Sequence, residues 1–490
     1  MTESDKPNES PAKRLLRAAA QFSAGQMIAM LTSIGRIALS AHVLSKSEAG
    51  LWLGIQLVFS YGVNLHLGSI FGAFRSIPML RGKGDFEASK REEETTFAFV
   101  CVISMVAFPV LFVATRLTCP TASVTQAVGA AATVVIMLFR GYYNALFKAL
   151  SLFKEVARSM VWGATVSALC LVAIYKWGLN GLMLSTAAQW LVELVFLAVR
   201  APRLALRLNA SVLVSQIRVG FGTLLTTVAV VFLTTIDRTV MIKRLGTDAT
   251  GAYYIGANLM VLMPVIASMP SAVLTPQFFA RYGRGESLVP LVDRPLRLAS
   301  LGFASLLGVG SVATPAIISV LWPHLFSGSA AAQSALFATY PLVLAGLVSN
   351  VYYAHDKQWL HIAILLGAAG CGFGFAHLGV SLLHTITGAA VGAALGLYVY
   401  LPAAVLGAFW LLNEMKLGMQ LLLQSLWPIA YAGGLSFVVG AVMARVFPGA
   451  LLLQGLAGGA LMTLAVLPLL WRARGLLRRG LAQSVAQPAT

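Results

Sequence analysis

Fourteen stretches of about 20 mostly apolar residues follow one another along this chain, separated by short polar connections. They cover 18–44, 50–78, 96–115, 124–147, 159–176, 180–199, 219–241, 251–279, 298–321, 333–353, 358–379, 385–412, 418–445 and 450–471. At about 1.5 Å per residue, a helix of that length crosses the ~30 Å hydrocarbon core of a bilayer. Lipid offers no hydrogen bonds, so a spanning backbone must satisfy its own, and a helix does so within one segment. The expected fold class is an all-α polytopic membrane protein. Only 11% of the 490 residues are charged, against roughly a quarter in soluble domains. That balance excludes a soluble enzyme, a disordered hub and a disulfide scaffold.

A net charge of +18 raises nucleic acid as a partner, but the basic residues sit in short clusters between apolar runs. They read as orientation signals, because segments facing the cytoplasm retain Lys and Arg. With the N-terminus inside, the inner segments hold twenty-five basic residues and the outer ones six: Lys46, Arg116, Lys176, Lys243, Arg244 and Arg445. Both termini are therefore expected in the cytoplasm, without a cleaved signal peptide. The cysteines Cys101, Cys119, Cys170 and Cys371 form no CxxC pair and read as small buried hydrophobes rather than a metal or redox site. Arg200, Arg203 and Arg207 recur at helical spacing and suit the inner leaflet, and Glu92 to Glu94 read as the acidic start of span 3.

Gly82-Lys83-Gly84-Asp85 follows span 2, and Gly283-Arg284-Gly285-Glu286 follows span 8, at an offset of 201. The same offset pairs Leu44 with Leu245, Gly50 with Gly251 and Trp52 with Tyr253. Two matches at one offset, each at the same place in the span order, predict two parallel six-span lobes, 1–217 and 218–413. A third segment, 414–490, adds two spans and a basic tail. Transporters are often built from such repeats, with the substrate site at the repeat interface.

The stretch 44–75 contains Gly50-Leu51-Trp52, then Leu67-Gly68, then Arg75 at the end of span 2. Ile236-Asp237-Arg238 followed by Gly251-Ala252-Tyr253, and the Gly-Leu-Asn-Gly turn at 178–181, add to the pattern. In this order they resemble the polysaccharide transporters of the multidrug/oligosaccharidyl-lipid/polysaccharide exporter superfamily. The resemblance implies a flippase for lipid-linked oligosaccharides, such as O-antigen or exopolysaccharide repeat units, in the bacterial inner membrane. It implies membrane lipids and a glycan polymerase or assembly complex as partners, no nucleic acid, and no cofactor beyond H+ or Na+ coupling.

Charges inside a span are expensive, about 2.5–3.5 kcal/mol each on insertion scales, and mark candidate sites. Here they are Arg36, His66, Arg75, Arg140, Glu193, Asp237 and Arg238, all within the first seven spans. Arg outnumbers acid four to two, which predicts a cationic central cavity used by alternating access. Arg36, Arg140, Arg75, Arg238, Asn144, His66 and Asn64 are the candidate substrate ligands, since a guanidinium fork matches phosphate. Asp237 and Glu193 are the candidates for ion coupling or gating. Structural alternatives stand beside each: an Arg36–Asp237 pair at the 201 offset, an Arg140–Glu193 pair, and snorkelling of Arg75 to lipid phosphate. Rival functions are a drug exporter of the same superfamily, a polytopic glycan polymerase or glycosyltransferase, and a scaffold. The surplus of Arg argues against a cationic drug, and the short outer turns argue against the enzyme.

Overall fold

A computed structural model describes residues 11–202, 204–262, 278 and 281–486, with side chains described between 21 and 476. Among them the regular structure is helical, without a strand. The helices are α1 (Pro11–Val43), α2 (Lys46–Gly62), α3 (Ser69–Gly82), α4 (Phe86–Thr118), α5 (Val124–Ala149), α6 (Phe153–Leu169), α7 (Leu171–Arg200) and α8 (Ala210–Ala252). Then come α9 (Val289–Leu321), a 3-10 turn (Pro323–Gly328), α10 (Ser329–Ala354), α11 (Gln358–Leu383), α12 (Ile386–Leu411), α13 (Met415–Val446) and α14 (Leu451–Ala486). Eleven helical segments are long and apolar enough to cross a membrane. Large apolar side chains such as Met105, Phe437 and Trp471 stand exposed on them, as lipid-facing surfaces require.

Two of these helices contain reversals that the apolar runs had already separated. Gly178 breaks α7 at φ 50°, ψ −123°, and the chain doubles back so that a Cβ on Gly181 would lie 2.1 Å from the Ala173 carbonyl. Gly246 breaks α8 at φ 83°, between the expected spans 219–241 and 251–279. Most of that later span lies outside the described residues.

The run 50–78 is not one helix. α2 stops at Gly62, residues 63–68 turn, and α3 begins at Ser69. Leu67 (φ 52°) and Gly68 (φ 88°) take left-handed conformations there. Gly68 is needed for a second reason, because its Cβ would meet the Gly220 carbonyl of α8 at 3.0 Å.

Helix α4 also differs from expectation. It begins at Phe86, capped by the Asp85 carboxylate accepting from the Ala88 N–H. Glu92 to Glu94 therefore lie well beyond the first turn, where the helix dipole acts little. Instead Glu93 and Glu94 are buried, and Arg81 Nη2 donates to Glu93 at 2.9 Å. The cysteines are all free thiols, and only Cys119 is fully buried; Cys371 is exposed on α11, which corrects the expectation of four buried hydrophobes.

The chain divides into two compact units: 1–44 with 54–228, and 45–53 with 229–490. In the first, α1 packs on α6 and α7, and α4 on α3 and α5. In the second, α9 packs on α13 and α14, and α12 on α10 and α11. The 201-residue offset reappears in local geometry. Gly84 and Gly285 both take positive φ, 81° and 68°. Within the second unit a Cβ on Gly50 would lie 1.8 Å from the Thr247 carbonyl, and one on Gly251 1.7 Å from the Lys46 carbonyl. Since 46 and 247 are themselves 201 apart, the two contacts are reciprocal, as at a two-fold axis.

Candidate functional site

The first unit gathers three of the candidate residues into one hydrogen-bonded chain. Arg36, half-buried on α1, donates from Nη1 to Gln189 Oε1 (2.9 Å) and to Ser167 Oγ (3.2 Å). Gln189 in turn donates from Nε2 to Glu193 Oε1 at 3.3 Å. The other carboxylate oxygen of Glu193 accepts from Arg140 Nε at 2.6 Å. Two guanidiniums from α1 and α5 thus reach one carboxylate on α7, one of them directly and one through an amide.

The helices carry this arrangement for sequence reasons. Gln189 and Glu193 are four apart on α7, so they share a face. Gly163 on α6 lets that face close: a Cβ there would meet Glu193 Cγ at 2.6 Å and the Gln189 carbonyl at 2.8 Å. Ser167, one turn further along α6, supplies the hydroxyl for Arg36 and lies 3.1 Å from Ser185 Oγ of α7. Glu193 is almost wholly buried, whereas the Arg140 side chain keeps 24% of its surface. A charged residue buried this deeply is stable only when paired, and the pairing with Arg140 meets that need. Asn144 lies one turn along α5 from Arg140 and is half-buried.

The other candidates lie apart from this chain. Arg75 is exposed on α3. Asn64 and His66 are buried in the break between α2 and α3. Asn64 donates to the Ser60 carbonyl at 2.8 Å, and His66 Nδ1 accepts from the Gly68 N–H at 3.1 Å. The imidazole also meets the Phe71 ring edge-on, with centroids 5.0 Å apart. These bonds hold the irregular backbone that a broken span leaves without helical partners.

Asp237 and Arg238 form a separate buried cluster in the second unit. Tyr253 donates its hydroxyl to Asp237 Oδ2 at 2.6 Å, and the Arg238 backbone N–H reaches Oδ1 at 2.7 Å. Arg238 Nη2 donates to the Thr234 carbonyl at 3.2 Å, its Nε is 3.8 Å from Asp237, and that Nε has no hydrogen-bond partner among the described residues. Sequence reasoning missed Gln189, Ser167 and Tyr253 as the bonding partners here. Among the described residues no group of three or more His, Cys, Asp or Glu side chains is placed to hold a metal.

Scans of the sequence against protein-family models and curated proteins return no match. Solved structures do match. An inward-facing multidrug resistance MATE transporter of the MOP superfamily superposes with TM-score 0.62 at 16% identity, over 82% of this chain and 99% of that one. The lipid II flippase MurJ, in an inward closed conformation, gives 0.69 at 11% identity over 92% of this chain and 98% of that one. The chain has the fold of these transporters.

Proposed function

We propose that this protein flips polyprenyl-pyrophosphate-linked oligosaccharide, an O-antigen or exopolysaccharide repeat unit, across the bacterial inner membrane by alternating access. The observation that carries the reading is the Arg36–Gln189–Glu193–Arg140 chain, in which two guanidiniums share one carboxylate. Both guanidiniums lie within apolar spans, where an ionisable side chain marks a functional position, and a pyrophosphate is an anion whose geometry a guanidinium matches. Arg36 is the first contact in this scheme; Arg140 and Asn144 follow on α5. The likeness in fold to a lipid II flippase supports a lipid-linked substrate. The basic clusters support cytoplasmic termini. Glu193 and Asp237 each have an arginine nitrogen within 4 Å, an arrangement that suits a gating pair.

The likeness to multidrug transporters supports drug export as a second reading. Mass spectrometry of lipid-linked oligosaccharides in a deletion strain, complemented with wild type or Arg36→Ala, separates the two. A periplasmic glycan-modifying enzyme reports which face the units occupy. Complete units stranded on the cytoplasmic face without the protein, and not rescued by Arg36→Ala, are the expected result. Normal units on the periplasmic face of the deletion strain would overturn the flippase and leave export. Incomplete units would make the protein a builder of glycan.

A further inference from the structure

A cavity of about 620 Å³ opens in the second unit between α9, α13 and α14. Arg297, Arg472 and Arg474 converge on it, with Ser300, Gln424 and Trp471 completing its polar wall. None of these residues belongs to the candidate site of the first unit. α9 and α13 begin at this end of the bundle, and there the apolar run of α14 gives way to Arg472 and Arg474 after Trp471, so the cavity lies where a bilayer's headgroups would be. Leu423, Leu467 and Trp471 beside it are exposed apolar side chains, and Trp favours that interfacial depth.

The arginines are held in place before any ligand arrives. Arg297 gives its Nε to Asp293, at 2.6 Å and one turn away, which leaves its terminal amino groups for another acceptor. Arg472 lies over the Trp427 ring, 5.1 Å from its centre. Trp427 stacks on Tyr431 at 5.5 Å, and the Tyr431 hydroxyl donates to the Ala465 carbonyl of α14 at 2.9 Å. Arg474 makes no ion pair among the described residues. Three guanidiniums against one carboxylate leave the cavity with a surplus of two positive charges.

The geometry points to a binding site for the phosphate of an anionic phospholipid, its acyl chains lying against the exposed apolar faces of α13 and α14. Charge and fork geometry select phosphate; the interfacial depth and apolar flank select a lipid over a free ion. This site stands whether or not the protein is a flippase.

The test uses delipidated full-length protein in detergent. Phosphatidylglycerol, phosphatidylcholine or inorganic phosphate is added, with thermal melting and native mass spectrometry as readouts. Wild type should retain phosphatidylglycerol in preference to phosphatidylcholine and be stabilised by it. The triple variant Arg297→Gln/Arg472→Gln/Arg474→Gln should bind it about tenfold more weakly, since it loses the charge-assisted hydrogen bonds to phosphate. Arg474→Gln alone should show a smaller loss in the same direction, and it carries the test if the triple variant fails to fold. Arg284→Gln, at an exposed turn and outside the cavity's lining, should behave as wild type. Equal retention by wild type and the arginine variants overturns the site. Equal binding of phosphatidylcholine removes the charge argument, and full protection by inorganic phosphate reassigns the cavity to a free anion.

Discussion

The exchange between Arg140 and Glu193 is the place where one side chain decides most. Glu193 is buried and Arg140 half-exposed, so the two ends of the pair are not equivalent. Arg140→Gln strands a buried carboxylate, and breaking such a pair costs about 3 kcal/mol or more. Glu193→Gln leaves a cation that can lean towards water and keeps the bond from Gln189, so it should cost roughly half as much. The double variant should then be no worse than Glu193→Gln alone. Unfolding midpoints in detergent measure all three, and equal losses from both single variants would refute the asymmetry. Cys119 offers a second test at this scale. It is wholly buried just beyond α4, and burial pushes its thiol up to about 12. An unfolded thiol ionises near pH 8.5, so folded protein should resist maleimide at Cys119 up to about pH 9 while unfolded protein labels. Because the folded value is the raised one, stability falls as pH climbs past the unfolded value. Mass mapping of alkylated peptides reads this directly, and labelling of folded protein at the unfolded rate would contradict it. Arg36, Arg140 and Glu193 were legible in the sequence because charge inside an apolar run is expensive. Gln189 was not, since a neutral amide among apolar residues raises no comparable alarm until its neighbours are known.

Helix pairs in this chain meet through glycine, and the closest approaches test the repeat. A Cβ added at Gly50 or Gly251 would run into backbone carbonyl oxygen at 1.8 or 1.7 Å, far inside van der Waals contact. No side chain can move to relieve that, so the two turns would have to part. Gly50→Ala and Gly251→Ala should each sharply lower the yield of folded protein. Gly35→Ala is the control: nothing lies within 4 Å of its Cβ, and replacing a helical glycine gains about 0.5 kcal/mol. Size-exclusion profiles and melting curves of the three variants decide, and a normal Gly50→Ala protein would sink the close-contact reading. The glycines at this offset were visible in the sequence. The break at 63–68 was not, because Leu65, Leu67 and the flanking apolar residues keep the hydropathy high while Leu67 and Gly68 turn the backbone. The start of α4 was hidden differently. Its first turns are polar, so a count of apolar residues places the start at 96, about three turns too late, whereas the Asp85 cap marks its true beginning.

For the molecule as a whole, the count of crossings follows from the repeat more than from the helices. Most of 251–279 lies outside the described residues, yet the reading of two parallel lobes depends on that segment crossing the bilayer. The turns at Lys83 and Ser287 are both exposed, as is Asp248. If the offset of 201 reflects two lobes in parallel, Lys83 and Ser287 must lie on one side and Asp248 on the other. Five spans then separate Lys83 from Asp248 and one separates Asp248 from Ser287. Single cysteines at these positions, in a background without the native thiols, can be labelled in intact cells with a reagent that cannot cross the membrane holding the protein. Asp248→Cys should label, while Lys83→Cys and Ser287→Cys should label only after the membrane is opened, because basic segments stay on the cytoplasmic side. Labelling of all three from outside would reject the topology. Labelling of Asp248→Cys and Ser287→Cys together, without Lys83→Cys, would show that 251–279 returns to the face it left. The parallel lobes would then fail, and with them the pairing of Arg36 and Asp237 as equivalent positions, while the arginine chain of the first unit would stand unchanged.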